Sequence, residues 1–100
     1  MKKVYLLRTN EFYKIGITNN LNKRVKQLQT GNSEKIELIS FYESEYANKI
    51  EKSLHNKYSY VKKEGEWFTL SVLDEIEFIN ECRRIEKNIK TLIDAGNEFI

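Results

Sequence analysis

Residues 4–18, VYLLRTNEFYKIGIT, decide the fold. Two apolar runs, KVYLLR at 3–8 and FYKIGI at 12–17, stand on either side of a polar break, TNE, in which Asn10 suits a tight turn. Both runs are rich in aromatic and branched aliphatic residues that fit a pleated, half-buried surface. A break this short returns the chain on itself, so the stretch predicts a β-hairpin. Alternate residues of a strand point to opposite faces, which puts Tyr5 and Lys14 on one side and leaves Tyr13 to pack on the other.

Beyond the hairpin, Thr18, Asn19 and Asn20 offer capping side chains to a helix, LNKRVKQLQ, whose Leu21, Val25 and Leu28 recur at i, i+4, i+7. Thr30, Gly31 and Asn32 end it. KIELISFY, 35–42, alternates enough to predict a third strand. A second helix over about 46–58 carries Ala47, Ile50, Leu54 and Tyr58 on one face. KKEGEWFTL reads as a polar loop anchored in the core by Trp67 and Phe68. Ser71 with Asp74 then resembles a capping box, opening a last helix that runs to Ala95 with Gly96 just past its end. Val72, Ile76, Ile79, Ile89 and Leu92 are its expected apolar seam. The seam is longer than one small sheet covers, which predicts a homodimer contact at its far end. The fold class expected is α+β: a small three-stranded antiparallel-type sheet from the hairpin and third strand, flanked by helices, with a long C-terminal helix.

One hundred residues suffice for one domain, and 40% hydrophobic content offsets the entropy of ordering it. The chain holds no proline, so its turns rely on Asn, Gly, Ser and Asp. A single cysteine, Cys82, within a helical pattern, excludes an internal disulfide and a cysteine-based zinc site, and reads as a buried small hydrophobe. No apolar run has the length of a signal peptide or of a membrane span, so a soluble cytoplasmic protein without membrane contact is expected. The net charge of +2 is unevenly divided. Residues 1–35 hold eight Lys or Arg against two acids, 8 − 2 = +6, and residues 36–100 hold nine against thirteen, 9 − 13 = −4. A basic front half is the electrostatic footprint of a polyanion partner, with solvated surface lysines as the plain alternative.

Tyr5 in the first strand, Lys14-Ile15-Gly16 in the second, Arg24 ten residues on and Glu51 on the helix after the third strand form an ordered series. In this order and spacing the chain resembles the GIY-YIG nuclease superfamily, in its compact phage and bacterial branch where the second signature is written K-I-G. The resemblance covers about residues 3–70, giving a nuclease-like core at 1–70 and a C-terminal helix at 71–100 packed on the same domain. It implies a metal-dependent endonuclease that hydrolyses DNA phosphodiester bonds with Mg²⁺ or Mn²⁺. Tyr5, Lys14, Arg24 and Glu51 match signature positions of that site, Glu51 that of the metal-binding glutamate. Lys14 stands where most members carry tyrosine, Lys3 and Val4 replace the glycine and isoleucine of the first signature, and the terminal asparagine has no counterpart.

The chemistry accords with those residue types. Arginine's planar fork binds two phosphate oxygens, so Arg24 is the expected phosphate ligand, rather than an ordinary surface arginine. Glu51 lies beside the apolar stripe of Ile50 and Leu54, and a single carboxylate suffices for Mg²⁺, which keeps several waters. No lysine or arginine stands three or four residues from Glu51 on its helix; only His55 is placed there as a partner, and it is a further candidate for phosphate binding or proton transfer. Lys14, Lys23, Arg24 and Lys26 are the expected nucleic-acid contacts. The other readings are an inactive nucleic-acid-binding module that keeps the fold, and a phage protein-interaction factor using the last helix.

Overall fold

The computed structural model describes residues 1–10, 12–63 and 67–96. The hairpin forms as expected, from β1 (Lys3–Thr9) and β2 (Phe12–Thr18), with Asn10 at φ 32°, a left-handed turn conformation that asparagine tolerates. Helix α1 (Leu21–Thr30) follows, and Asn20 caps it by accepting from Lys23 N. Then come β3 (Glu37–Glu43), α2 (Ala47–Lys57), a short 3-10 turn (Ser59–Val61), β4 (Trp67–Phe68) and α3 (Val72–Asp94). Ser71 and Asp74 make the reciprocal capping box at the start of α3, and Gly96 at φ 84° lies just past its end.

The sheet is antiparallel in the order β3-β1-β2-β4. It has four strands rather than three. Trp67 and Phe68 are a two-residue strand paired with Lys14 and Tyr13. Two residues carry no periodicity, so nothing in the sequence separates them from a loop. Residues 64–66 of the expected KKEGEWFTL loop lie outside the described residues.

Register divides the side chains between two faces. Tyr5 faces Gly16, and Leu7 faces Lys14, on the side covered by α1. Tyr5, Leu7 and Ile36 are buried there, with Leu21, Val25 and Leu28 of α1 packed over them. The other face holds the main core, where Val4, Leu6, Tyr13, Ile15 and Phe68 meet Ile50 and Leu54 of α2 and Phe78, Cys82, Ile85 and Ile89 of α3. The last helix therefore shares the core of the first 70 residues. Its buried seam differs from the expected one: Val72, Ile76 and Leu92 are exposed, and Phe78 takes the inward place. Apolar residues lie all round the start of α3, and the docking of Glu75 and Glu86 onto the strands selects which stripe turns in. Among the described residues, no helix is long and apolar enough to cross a membrane.

Candidate active site

Tyr5 is buried although it lies on the face of the smaller core. Its ring rests directly on Gly16: a Cβ there would stand 2.3 Å from Tyr5 Oη and 2.5 Å from Cζ. The glycine of KIG is thus the floor under the tyrosine. Arg24 Nε donates to Tyr5 Oη at 3.4 Å, at the outer limit of a hydrogen bond, so the contact fixes position more than it contributes energy. Helix geometry explains the reach. Leu21, Val25 and Leu28 face the sheet, and Arg24 flanks that stripe, whereas Lys23 and Lys26 are exposed on the outer surface of α1. The structure brings Tyr5, Gly16 and Arg24 together, and leaves Lys23 and Lys26 outside this cluster, along the helix that carries Arg24.

Lys14 lies on the same face one residue pair further along, almost wholly buried, with its Nζ 5.5 Å from the centre of the Trp67 ring. Cation–π attraction to a partly buried tryptophan holds it there. Tyr13 points to the opposite face, donating to Glu75 Oε1 at 2.9 Å, and its hydroxyl pKa is raised by burial and by that bond.

Beyond Lys14, β4 no longer pairs with β2, and the backbone of Ile15 would end at an edge. His55 fills that place. Its Nε2 is 2.8 Å from Ile15 O, and because a carbonyl only accepts, Nε2 carries the proton; the ring also stands edge-on to Phe68 at 5.0 Å. His55 is expected as a partner of Glu51 or of phosphate; its Nε2 is instead occupied by the backbone, which makes it a pin between α2 and β2. Glu51 lies one helical turn earlier on α2 and is half-buried. Lys14, Arg24 and Glu51 each have further interactions, so none is an isolated charge.

Among the described residues no three His, Cys, Asp or Glu side chains cluster as a metal cage. A donor set of one carboxylate suits a largely hydrated Mg²⁺ or Mn²⁺ and does not suit a closed tetrahedral zinc site.

The basic front half is partly neutralised by the fold. Lys3 pairs with Glu43 at 3.3 Å, and Arg8 with Glu75 at 2.7 Å and Glu37 at 3.2 Å, so acids of the back half meet cations of the front. Sequence reasoning missed one exposed aromatic on the site's face. Phe41 pairs with Tyr5 and is 46% exposed. Leu38, three residues away, would face the other side of a regular strand, but the register shifts between Leu6 and Leu7, and this bulge returns both to the Tyr5 face.

The chain belongs to the T5orf172 domain family, whose model matches residues 2–85. This phage-associated domain is related to nuclease folds. The matched region ends inside α3, past the limit at residue 70 suggested by the signature residues alone. No curated protein and no solved structure is significantly similar to the chain.

Proposed function

We propose that the protein is a metal-dependent endonuclease that hydrolyses DNA phosphodiester bonds with a site of GIY-YIG type. The observation that carries this reading is the unit of Tyr5 seated on Gly16 and met by Arg24, in a domain related to nuclease folds. Hydrolysis forms a bond from a water oxygen to phosphorus and breaks the bond to the leaving sugar oxygen; one proton leaves the water and one reaches the sugar. Arg24 neutralises the non-bridging oxygens. Tyr5 Oη contacts the attacking water and orients it. The Lys14 ammonium adds positive charge on the same face, and His55 fastens α2, the helix that carries Glu51, to β2. Glu51 would hold Mg²⁺ or Mn²⁺, whose chemistry is to share the charge that builds on the phosphate.

The test is plasmid nicking with Mg²⁺, Mn²⁺ or EDTA, on wild type and on Glu51→Gln shown to be folded. Metal-dependent nicking is expected, with a fall of about 10²–10³-fold for Glu51→Gln, on the scale of losing one group that stabilises the transition state. DNA binding survives that substitution, since it removes a negative charge from a site that receives phosphate. Arg24→Ala loses both turnover and affinity, because phosphate is its partner in both states. Wild-type nicking by Glu51→Gln would end its assignment. The burial of Lys14 against Trp67 favours a second reading, a binding module without turnover, whose mark is a salt-sensitive gel shift with no nicking.

A further inference from the structure

Phe41 and Leu38 are 46% and 41% exposed, on the face of the sheet that α1 leaves uncovered at β3. Single exposed apolar residues are ordinary, but these two line a cavity of about 400 Å³ together with Lys3, Asn19, Asn20 and Asn22. Its far wall is the first turn of α1. That wall is held in shape: Thr18 Oγ1 accepts from Asn20 N at 3.1 Å, and Asn20 Oδ1 accepts from Lys23 N at 3.0 Å. The cavity therefore offers a flat aromatic face, an aliphatic neighbour, and side-chain amides that both donate and accept. A nucleobase needs that combination: a π-face to stack and an edge of mixed donors and acceptors.

Its place relative to the candidate active site narrows the occupant. Phe41 is the direct cross-strand neighbour of Tyr5, and Lys3 lies two residues from Tyr5 along β1, a separation of about 7 Å at the rise of a strand. Neighbouring nucleotides of an extended single strand are spaced on that scale. The cavity is bounded by the first turn of α1 on one side and by the sheet on the other. Resting on the nuclease reading above, we propose that this cavity seats a single unpaired base stacked on Phe41, next to the phosphate presented to Tyr5 and Arg24. The substrate class is then a strand with a splayed or unpaired nucleotide rather than an intact duplex.

Fluorescence anisotropy with three oligonucleotides tests this: a single strand, a perfect duplex, and a duplex with one unpaired base. A 2-aminopurine at the unpaired position reports stacking. Wild type is expected to prefer the first and third and to quench the probe. Phe41→Ala should weaken both by about tenfold, the scale of one lost base–aromatic stack, while Phe41→Trp restores them and duplex affinity stays within about twofold. Equal affinity of Phe41→Ala and wild type for all three, or an unquenched probe, overturns the cradle. So does a loss that is equal across the three and accompanied by a lower melting temperature. If wild type binds none of the oligonucleotides, the nuclease reading falls and the cradle with it. If wild type binds and nicks but Phe41→Ala changes nothing, the cradle alone is removed.

Discussion

On the α2–α3 face of the sheet, acids of α3 end on donors from other elements. Glu75 receives Arg8 and Tyr13, Glu81 receives Lys57 from α2 and Arg84 from its own helix, and Glu86 receives Tyr42 and Ser44. On the α1 face the buried set is only Tyr5, Leu7 and Ile36, and no residue of α1 itself is fully buried. One face uses its charges to dock a 23-residue helix, and the other leaves cationic residues along a lightly held one. On the nuclease reading proposed above, this difference separates stability from binding: the residues assigned to substrate sit where their replacement disturbs little of the main core, and α1 should open at lower free energy than α3.

Gly16→Ala is the change expected to break that separation most, because Gly16 belongs to both tasks. The added Cβ would overlap the Tyr5 ring, which is buried with Leu7 and Ile36 under the apolar side chains of α1, so the ring must shift. Overpacking of this kind costs about 1–3 kcal/mol, or a fall of several degrees in melting temperature for a domain this size. Moving the phenol also breaks its register with Arg24, so nicking should fall as well. Melting temperature and nicking rate that both match wild type would show that Gly16 is not the seat of Tyr5.

Glu86→Gln addresses the other face alone. Burial by itself would raise the Glu86 pKa, but the hydroxyls of Ser44 and Tyr42 and the ammonium of Lys90 outweigh it and hold the carboxyl below its ordinary value of 4.5. The folded state thus favours the carboxylate; this stabilisation is present above about pH 4.5 and is lost as the pH falls through the depressed value. Tyr42 sets the alkaline limit of the same clamp. Its hydroxyl is pushed up to about 12 by burial and by Glu86, so its contribution holds below pH 10 and disappears as the pH rises toward 12. Glu86→Gln should cost about 1–2 kcal/mol at pH 7, measured by urea unfolding, and the gap to wild type should narrow as the pH falls through the depressed value. Its affinity for DNA should not change. A constant gap from pH 7 to pH 3 would mean that the carboxylate charge is not what docks α3.

The sequence carried the hairpin and α1 plainly, because seven-residue strands and an i, i+4, i+7 stripe repeat often enough to be seen, and Asn20 marks the helix start. It did not carry β4, which is too short to repeat, or the inward stripe of α3, where Phe78 competes with Val72 and Ile76 and only docking decides. Tyr5, Lys14, Arg24 and Glu51 were legible as a series through resemblance. That Tyr5 stands on Gly16, that His55 binds Ile15 O, and that Phe41 shares their face all depend on register, bulge and strand edge. Those are properties of pairing between distant segments, and a local pattern does not hold them. The +6 front half shows the same limit, since Lys3 and Arg8 are matched by acids that lie far off in sequence.

The smallest effect on stability, and the sharpest test of the division of labour, comes from Lys23→Glu with Lys26→Glu. Both side chains are exposed on α1, so the double variant should melt within about 0.5 kcal/mol of wild type. If they contact phosphate, affinity weakens similarly for every sequence, because the backbone is the same everywhere. The slope of log affinity against log salt should flatten by about 0.7–0.9 for each contact removed, the lower figure applying to single strands. Arg24 is the internal control: it touches Tyr5 on the sheet side of the same helix, so Arg24→Ala reduces turnover as well as affinity. The lysine pair acts only in proportion to binding, and saturating DNA should restore its nicking rate. A double variant with unchanged salt slope would take the outer surface of α1 out of the interface and confine contact to the Tyr5–Arg24 cluster. One that binds with the flatter slope yet stays slow at saturation would move these lysines into the chemistry and end the distinction between the two sides of α1.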